Sequence, residues 1–212
     1  MTMKRILIAG AAVLAASGVL GMVPAAAQGS SASAPTWTQR RPASHPSARS
    51  GTAMAYDTAT NTAVLFGGST FGDRKVFAQT WTWNGSTWTK QTPATHPPAR
   101  IFAAMAYDAA TGTIVLFGGQ NKTGLLGDTW TWNGSTWTKH TLATHPSARS
   151  ETSMAYDAAT GTIVLFGGFD QSGNLGDTWT WNGSTWAKHT PASSPPARSG
   201  AREHVRNRGI FP

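Results

Sequence analysis

The octapeptide Trp-Thr-Trp-Asn-Gly-Ser-Thr-Trp occurs three times in this chain of 212 residues, at 81–88, 130–137 and 179–186. Other short motifs return with the same spacing, in steps of 49 to 51 residues. A chain with such a period consists of copies of one structural unit that bury their apolar faces against each other, because a single unit cannot do so alone. The repeat therefore constrains the fold more than any other feature of the sequence.

Each unit begins with a predicted β-hairpin. In the first unit the strands are expected at 52–56 and 62–66, joined by a turn at 57–61. That turn ends in Asn61, and the later copies have Gly112 and Gly161 at the same place. Asparagine and glycine adopt a positive φ more readily than other residues, so the substitution supports a turn at this position.

The octapeptide is predicted to form the third and fourth strands of the unit. If Asn84-Gly85 is a two-residue hairpin turn, Trp81 lies opposite Trp88 and on the same sheet face as Trp83. Aromatic pairs of this kind contribute about 0.5–1.5 kcal/mol beyond the burial of their surface. The residues 84–86 also match an N-glycosylation sequon, but a hairpin turn accounts for the same letters in all three copies. The octapeptide thus indicates architecture rather than chemistry.

These landmarks resemble the signature of the kelch-repeat family over about residues 35–200. The family pattern has a double glycine after the second strand, an Asp shortly before a tryptophan, a second tryptophan, and an arginine that leads into the next unit. The first copy departs from it, with Gln79 where the later copies have Asp128 and Asp177. The leading arginines, which are expected at the seams between units, are Arg49, Arg100, Arg149 and Arg198. The other structural repeat residues are Gly67, Gly68, Trp81, Trp88, Gly118, Gly119, Trp130, Trp137, Gly167, Gly168, Trp179 and Trp186.

The resemblance implies an all-β protein made of kelch-type β-propeller blades, each a four-stranded antiparallel sheet, as in the central domain of galactose oxidase. The copper site of that enzyme uses a tyrosine cross-linked to a cysteine, and this chain has no cysteine. No copper ligand, other metal site or cofactor is therefore predicted here. Three full blades are expected, with one further strand around Trp37 and the start of another unit after Arg198.

Three blades are too few for a ring, since closed single-chain propellers typically have 4–8. Two hypotheses follow. The chain is a truncated or frameshifted piece of a longer propeller, or two copies form a six-bladed homodimer in which the strand around Trp37 completes the neighbour's sheet.

The ends of the chain lie outside the repeat. Lys4 and Arg5, an apolar run at 6–23 and three alanines at 25–27 predict a secretory signal peptide at 1–27, with a retained membrane anchor as the alternative. Residues 28–34 are expected to be a flexible leader and 201–212 an irregular basic tail. The expected location is secreted or extracytoplasmic, with no membrane association after cleavage.

Charge and histidines give little support to other functions. The net charge of +8 comes from scattered residues, and nucleic-acid binding would need a clustered basic stripe. His45, His96 and His145 recur at the repeat spacing and would converge on one face, but a polar role in a loop is the favoured interpretation. His140 and His189 follow lysines and are expected to face solvent. No catalytic residue is predicted.

The copies differ most between the second and third strands, at 69–78, 120–127 and 169–176. A constant frame with one variable loop on one face is typical of a binding surface. We therefore expect a secreted, non-catalytic binding or scaffold module that recognises a protein or glycan. The alternative is a fragment of a carbohydrate-active oxidase or lyase of the same fold group. The candidate binding residues are Phe71, Arg74, Lys75, Phe77, Lys122, Phe169 and Asp170.

Overall fold

A computed structural model describes residues 36–70 and 75–200, and strands are the only regular elements within them. The first unit has β1 (Ser50–Asp57), β2 (Thr62–Ser69), β3 (Thr80–Trp83) and β4 (Trp88–Gln91). The second has β5 (Ala104–Asp108), β6 (Thr113–Phe117), β7 (Gln120–Asn121), β8 (Gly124–Leu125), β9 (Thr129–Trp132) and β10 (Trp137–His140). The third has β11 (Ser153–Asp157), β12 (Thr162–Phe166), β13 (Phe169–Asp170), β14 (Gly173–Asn174), β15 (Thr178–Trp181) and β16 (Trp186–His189).

These strands form three antiparallel four-stranded sheets, which confirms the expected kelch-type blades. Their strand orders are β1-β2-β3-β4, β5-β6-β9-β10 and β11-β12-β15-β16, and β7-β8 and β13-β14 are separate two-stranded hairpins. The first strands β1, β5 and β11 are consecutive neighbours, and the three described blades do not close a ring. The part of the chain that the structure describes contains no helix able to cross a membrane.

The chain divides into two compact units, Met1–Gln39 and Arg40–Pro212, and all three sheets lie in the second. In the first unit only residues 36–39 are described; they form no strand, and Trp37 is fully exposed. The strand predicted around Trp37 is therefore not formed. A strand needs a neighbour to pair with, and each described sheet already has its own fourth strand. The predicted signal peptide, leader and basic tail lie outside the described residues.

The predicted first hairpin is confirmed in every blade. Its closing residue has a positive φ in each copy, 53° at Asn61, 68° at Gly112 and 67° at Gly161. In the first copy the Asp57 carboxylate accepts the backbone N–H of Ala59 at 2.9 Å and fixes the start of the turn. The strands of this copy are longer than predicted, from Ser50 to Asp57 and from Thr62 to Ser69.

The octapeptide hairpin has a different register from the predicted one. Trp83 lies opposite Trp88, and Trp81 lies opposite Lys90, so the predicted pairing of Trp81 with Trp88 is wrong. Trp81 and Trp83 still share a sheet face because they are two residues apart. The ring centroids of Trp83 and Trp88 are 5.5 Å apart, so an aromatic packing face is nevertheless present.

The cause is the Asn84 side chain, which lengthens the turn to four residues. Its Oδ1 accepts the backbone N–H groups of Ser86 at 3.0 Å and Thr87 at 2.9 Å. The backbone N–H of Asn84 bonds the Thr87 carbonyl at 3.3 Å and closes the loop. An asparagine that bonds residues two and three positions ahead replaces the backbone pattern of a two-residue turn.

The buried apolar side chains form two clusters, each between consecutive sheets. One cluster joins the first sheet to the second and the other joins the second to the third. The first contains Ala53, Val64, Phe66, Met105, Ile114, Leu116, Trp130, Trp132 and Trp137. The second contains Ala106, Val115, Phe117, Ile163, Leu165, Trp179, Trp181 and Trp186. The middle sheet is therefore covered on both faces.

A tryptophan of each later blade bonds the blade before it. The indole Nε1 of Trp137 donates to the Thr80 hydroxyl at 2.9 Å, and its ring meets the edge of Phe66 with centroids 5.4 Å apart. The same contacts recur between the second and third blades, at 2.9 Å and 5.6 Å, among Trp186, Thr129 and Phe117. The tryptophans of the repeat thus join blades as well as filling them.

Arg100 connects two blades through its backbone and its side chain. On the side of the first blade, its carbonyl accepts the N–H of Gly68 at 2.9 Å and its own N–H bonds the Phe77 carbonyl at 3.2 Å. On the side of the second blade, its guanidinium binds both oxygens of Asp128 at 2.6 and 2.8 Å and the Gly118 carbonyl at 2.9 Å. The Arg100 side chain is only 1% exposed. The predicted seam position of the leading arginine is therefore confirmed for Arg100.

The second seam repeats the first, and it shows why the double glycine is needed. Arg149 binds both oxygens of Asp177 and the Gly167 carbonyl. A Cβ at Gly118 would lie 2.5 Å from the Arg149 carbonyl oxygen, closer than two such atoms ever approach, and its φ is 66°. Any other residue there would force the two blades apart.

The seam carboxylates are held in the charged form. Burial alone raises the pKa of Asp128, but the hydrogen bonds and charge of Arg100 and the indole N–H of Trp130 outweigh that effect. The pKa of Asp128 is therefore below its ordinary value. In the first blade the neutral Gln79 replaces the carboxylate and accepts from Arg49 at 2.9 Å.

Replacing Arg100 by Met should lower the free energy of unfolding by about 3–5 kcal/mol, because it leaves the Asp128 carboxylate without its buried partner. Urea unfolding followed by tryptophan fluorescence measures the change. Arg49→Met is the matched control, since Arg49 is half-buried and bonds a neutral amide; a loss of about 1 kcal/mol is expected there. Equal losses in the two variants would contradict the role given to the buried pair.

Candidate functional site

The variable loops and the beginnings of the first strands lie at one end of the blades. Ser50 at the start of β1 pairs with Ser69 at the end of β2. In the later blades the same end is marked by bridges between Ile101 and Gln120 and between Ser150 and Phe169. We refer to this end, with the three loops between second and third strands, as the loop face.

The predicted binding residues differ in their exposure to solvent. Phe71 and Arg74 lie outside the described residues. Lys75 is exposed, with its ammonium 5.4 Å from the centroid of the Phe77 ring. Phe77 itself is buried, and the Arg49 guanidinium lies 4.0 Å from its centroid. Phe77 therefore supports the loop from beneath and presents no surface to a ligand.

Lys75 and Lys122, from neighbouring blades, line one groove of about 350 Å³ on the loop face. The other lining residues carry no charge: Val76, Pro98, Ala99, Asn121 and Thr123. The structure thus brings together two of the predicted binding residues. Two ammonium groups beside a shallow, partly apolar groove favour a ligand with carboxylates or other anions.

Asp170 lies in the neighbouring groove of about 490 Å³, between the loops of the second and third blades. The hydroxyl and backbone N–H of Ser172 donate to its carboxylate at 2.6 and 2.7 Å and lower its pKa, so the group is charged at neutral pH. Phe169 is 39% exposed at the start of the same loop. The two adjacent grooves therefore carry opposite charges.

The sequence analysis did not identify two residues of the candidate site, which lie near the first strands. Phe102 and Glu151 have φ values of 57°, a conformation that is rare outside glycine, and Gly51 has 66° at the equivalent position. Consecutive members are bonded through their backbones: Phe102 N–H to Gly51 at 2.9 Å, Glu151 N–H to Phe102 at 3.0 Å and Gly200 N–H to Glu151 at 2.7 Å. All four line a hollow of about 300 Å³. The available signal was that glycine stands at this position in the first and fourth copies.

Non-glycine residues with positive φ often mark functional positions, because the strain must be retained for a reason. Phe102 and Glu151 add one aromatic and one acidic side chain to the loop face. The candidate site therefore includes the hollow among the first strands as well as the variable loops.

The repeated histidines have local roles. The Nδ1 atoms of His45, His96 and His145 each lie 2.8–2.9 Å from the carbonyl of the following proline. Within residues 36–70 and 75–200, no group of three or more histidine, aspartate or glutamate side chains is placed to hold a metal ion. The structure thus places these histidines as polar loop residues.

Comparison with known proteins agrees with this architecture. The family model described as the KLHDC2/KLHL20/DRC7 Kelch-repeats domain matches residues 87–210, more than half of the chain. The chain therefore belongs to the kelch-repeat family, whose domains generally bind proteins and serve as scaffolds. No curated protein matches the chain.

His140 differs from its sequence-based prediction. Its ring is half-buried and meets the edge of Trp181 of the third blade, with centroids 5.2 Å apart, and its Nε2 lies 2.9 Å from the Thr131 hydroxyl. The prediction that His140 faces solvent is therefore wrong, because the third blade covers it. His189 is exposed, as predicted.

Burial lowers the pKa of His140. A histidine with a lowered folded-state pKa contributes its stability above the unfolded value of about 6.5, and this contribution is lost as the pH falls below that value. We therefore expect the melting temperature to fall below about pH 6.5, as measured by calorimetry. His140→Gln should reduce that fall, since the equivalent Gln91 bonds the Thr82 hydroxyl at 2.8 Å without titrating. An unchanged pH dependence in the variant would contradict this assignment.

Proposed function

We propose that this chain is a secreted, non-catalytic module that binds a protein partner through its loop face. The observation that carries the proposal is the pair of adjacent grooves, one with Lys75 and Lys122 and the other with Asp170, on an otherwise repeated frame. Side-by-side groups of opposite charge suit a polypeptide that carries both signs. They also discriminate between partners, because a like-charged group in either groove is repelled.

Membership of the kelch-repeat family supports a protein ligand over the glycan that the sequence also allowed. A glycan site would be expected to present exposed aromatic rings together with hydrogen-bonding groups. Phe169 supplies one such ring, and glycan binding is therefore the competing outcome of the same experiment. No observation favours the oxidase or lyase hypothesis, and we do not propose it.

The secreted location rests on residues 1–27, which lie outside the described part of the chain. Mass spectrometry of the exported protein tests it, with a first residue at Gln28 expected. A chain that retains residues 1–27 in the membrane fraction would support the anchor instead. As part of the same function we propose that two copies of the chain associate to complete one ring.

The double variant Lys75→Glu/Lys122→Glu should lose at least about tenfold in affinity for acidic peptides, because two attractive charges become repulsive. A peptide array with graded charge, and a glycan array beside it, provide the probes. Lys90→Glu is the matched control, since Lys90 is exposed on β4 and lies outside the groove. Equal loss in the control, or binding to glycans alone, would contradict the proposed protein-binding groove.

A further inference from the structure

The two outer faces of the three-blade array each carry one half of the contact that joins the blades inside it. At both inner junctions a tryptophan indole of the later blade donates to a threonine hydroxyl of the earlier one, at 2.9 Å in each case. The first blade keeps the tryptophan half without a described partner. The third blade keeps the threonine half.

The open face of the third blade is equivalent to two faces that are fully covered. Phe66 and Phe117 are 1% and 0% exposed beneath the next blade, whereas Phe166 is half-exposed. Five further positions are buried or half-buried in the first two blades and more exposed in the third, where they are Ser153, Ala155, Asp157, Val164 and Thr178. This surface therefore corresponds, position for position, to the side of a blade that accepts a following blade, with Ser153 in place of Ala53 and Ala104 as the one change of residue type among these six positions.

The opposite face of the first blade shows the complementary pattern. Met54 is 59% exposed, whereas the equivalent Met105 is 9% exposed against its neighbour. Trp88 is half-buried, whereas Trp137 and Trp186 are 2% and 3% exposed and hydrogen-bonded. Its indole N–H has no acceptor among the described residues. This surface matches the side of a blade that rests on a preceding blade.

A second contact of the inner junction, between a histidine and a tryptophan, is also divided between the two outer faces. At the inner junction His140 meets the edge of Trp181. His189, its equivalent in the third blade, is exposed, and Trp83, the equivalent of Trp181 in the first blade, is only half-buried. Histidine is thus again available on one end of the array and its tryptophan partner on the other.

We infer that the third blade of one copy binds the first blade of a second copy through these tryptophan–threonine and histidine–tryptophan contacts. This inference rests on the self-association proposed above. Trp88 of the second copy donates to the Thr178 hydroxyl and lies against Phe166, as Trp137 lies against Phe66. Each copy carries both halves, so the contact forms twice around a two-fold axis. Two copies give six blades, within the 4–8 of closed propellers, whereas three copies would exceed it.

The junction between copies brings together two seam arginines, Arg198 of one copy and Arg49 of the other. Arg198 already holds the Gly168 N–H through its carbonyl at 2.9 Å, and among the described residues its exposed guanidinium bonds only the nearby Pro196 carbonyl, at 3.1 Å. The first blade of a second copy brings Gln79, which Arg49 of that copy already binds. At each inner junction one arginine segment bonds both blades, so residues 196–200 of one copy and 47–51 of the second compete for one place, and one of these two segments is displaced when the contact forms.

A double-mutant cycle on the purified chain tests the contact, with association measured by sedimentation over a range of concentrations. Trp88→Phe removes the indole N–H and keeps a ring, and Thr178→Val removes the hydroxyl and keeps the shape. Each should weaken dimerisation by about five- to hundredfold, since one hydrogen bond is lost at each of two junctions. The double variant should be weaker than either single variant by no more than about twofold, because the same bond is removed.

Trp88 and Thr178 belong to the first and third blades, which the second blade separates within one copy, so coupling between them is a sign of contact between copies. Thr129→Val is the control: it removes the acceptor of Trp186 inside one copy and should lower stability without this coupling to Trp88. A dimer with coupled variants supports the inference. A monomer at all concentrations, a dimer indifferent to both variants, or additive effects would each overturn it. None of these outcomes bears on peptide binding by Lys75 and Lys122, which is measured separately.

Discussion

The guanidinium of Arg100 is almost entirely removed from water, and the carboxylate of Asp128 compensates its charge. Its backbone at the same time completes the edge of the first blade through Gly68. A single residue thereby fixes both the spacing and the register of two neighbouring sheets. The apolar surfaces of the blades are able to slide, since burial has no direction, whereas a bidentate arginine–carboxylate pair has a fixed geometry.

This constraint separates the constant from the variable part of each repeat. The seam arginines, the double glycine and the tryptophans recur in every blade, and at the two inner junctions they contact the adjacent blade. The loops between second and third strands bond the seam through backbone atoms, as the Phe77 carbonyl does with the Arg100 N–H, so their side chains are free to differ in charge, as Lys122 and Asp170 do. The strained positions at Phe102 and Glu151 lie between the two classes: their backbones join blades, while their side chains differ between copies.

Much of the fold could be predicted because its signals are local. The turn ending in Asn61 was predictable because glycine stands at this position in the later copies. The blades were predictable from the regular spacing of the repeated motifs. The register of the octapeptide hairpin was not, since it depends on hydrogen bonds from Asn84 that compete with the two-residue turn. The environment of His140 could not be predicted either, because Trp181, the residue that covers it, belongs to another repeat. In the candidate site, Lys75 and Lys122 were found from sequence variation, but Phe77 was assigned to the surface although its ring supports the loop.

The central claim is that the buried arginine pair, rather than the backbone bond alone, holds each seam. The amides of Gly68, Gly119 and Gly168 make nearly identical bonds to the arginines Arg100, Arg149 and Arg198, at 2.9, 2.8 and 2.9 Å. Among these three arginines, Arg198 alone lacks a carboxylate partner in the described part of the chain. Hydrogen exchange at these three amides, at a dilution that keeps copies apart, is therefore the most direct measurement. Gly68 and Gly119 should exchange only through global unfolding and Gly168 much faster; equal protection at all three would contradict the account.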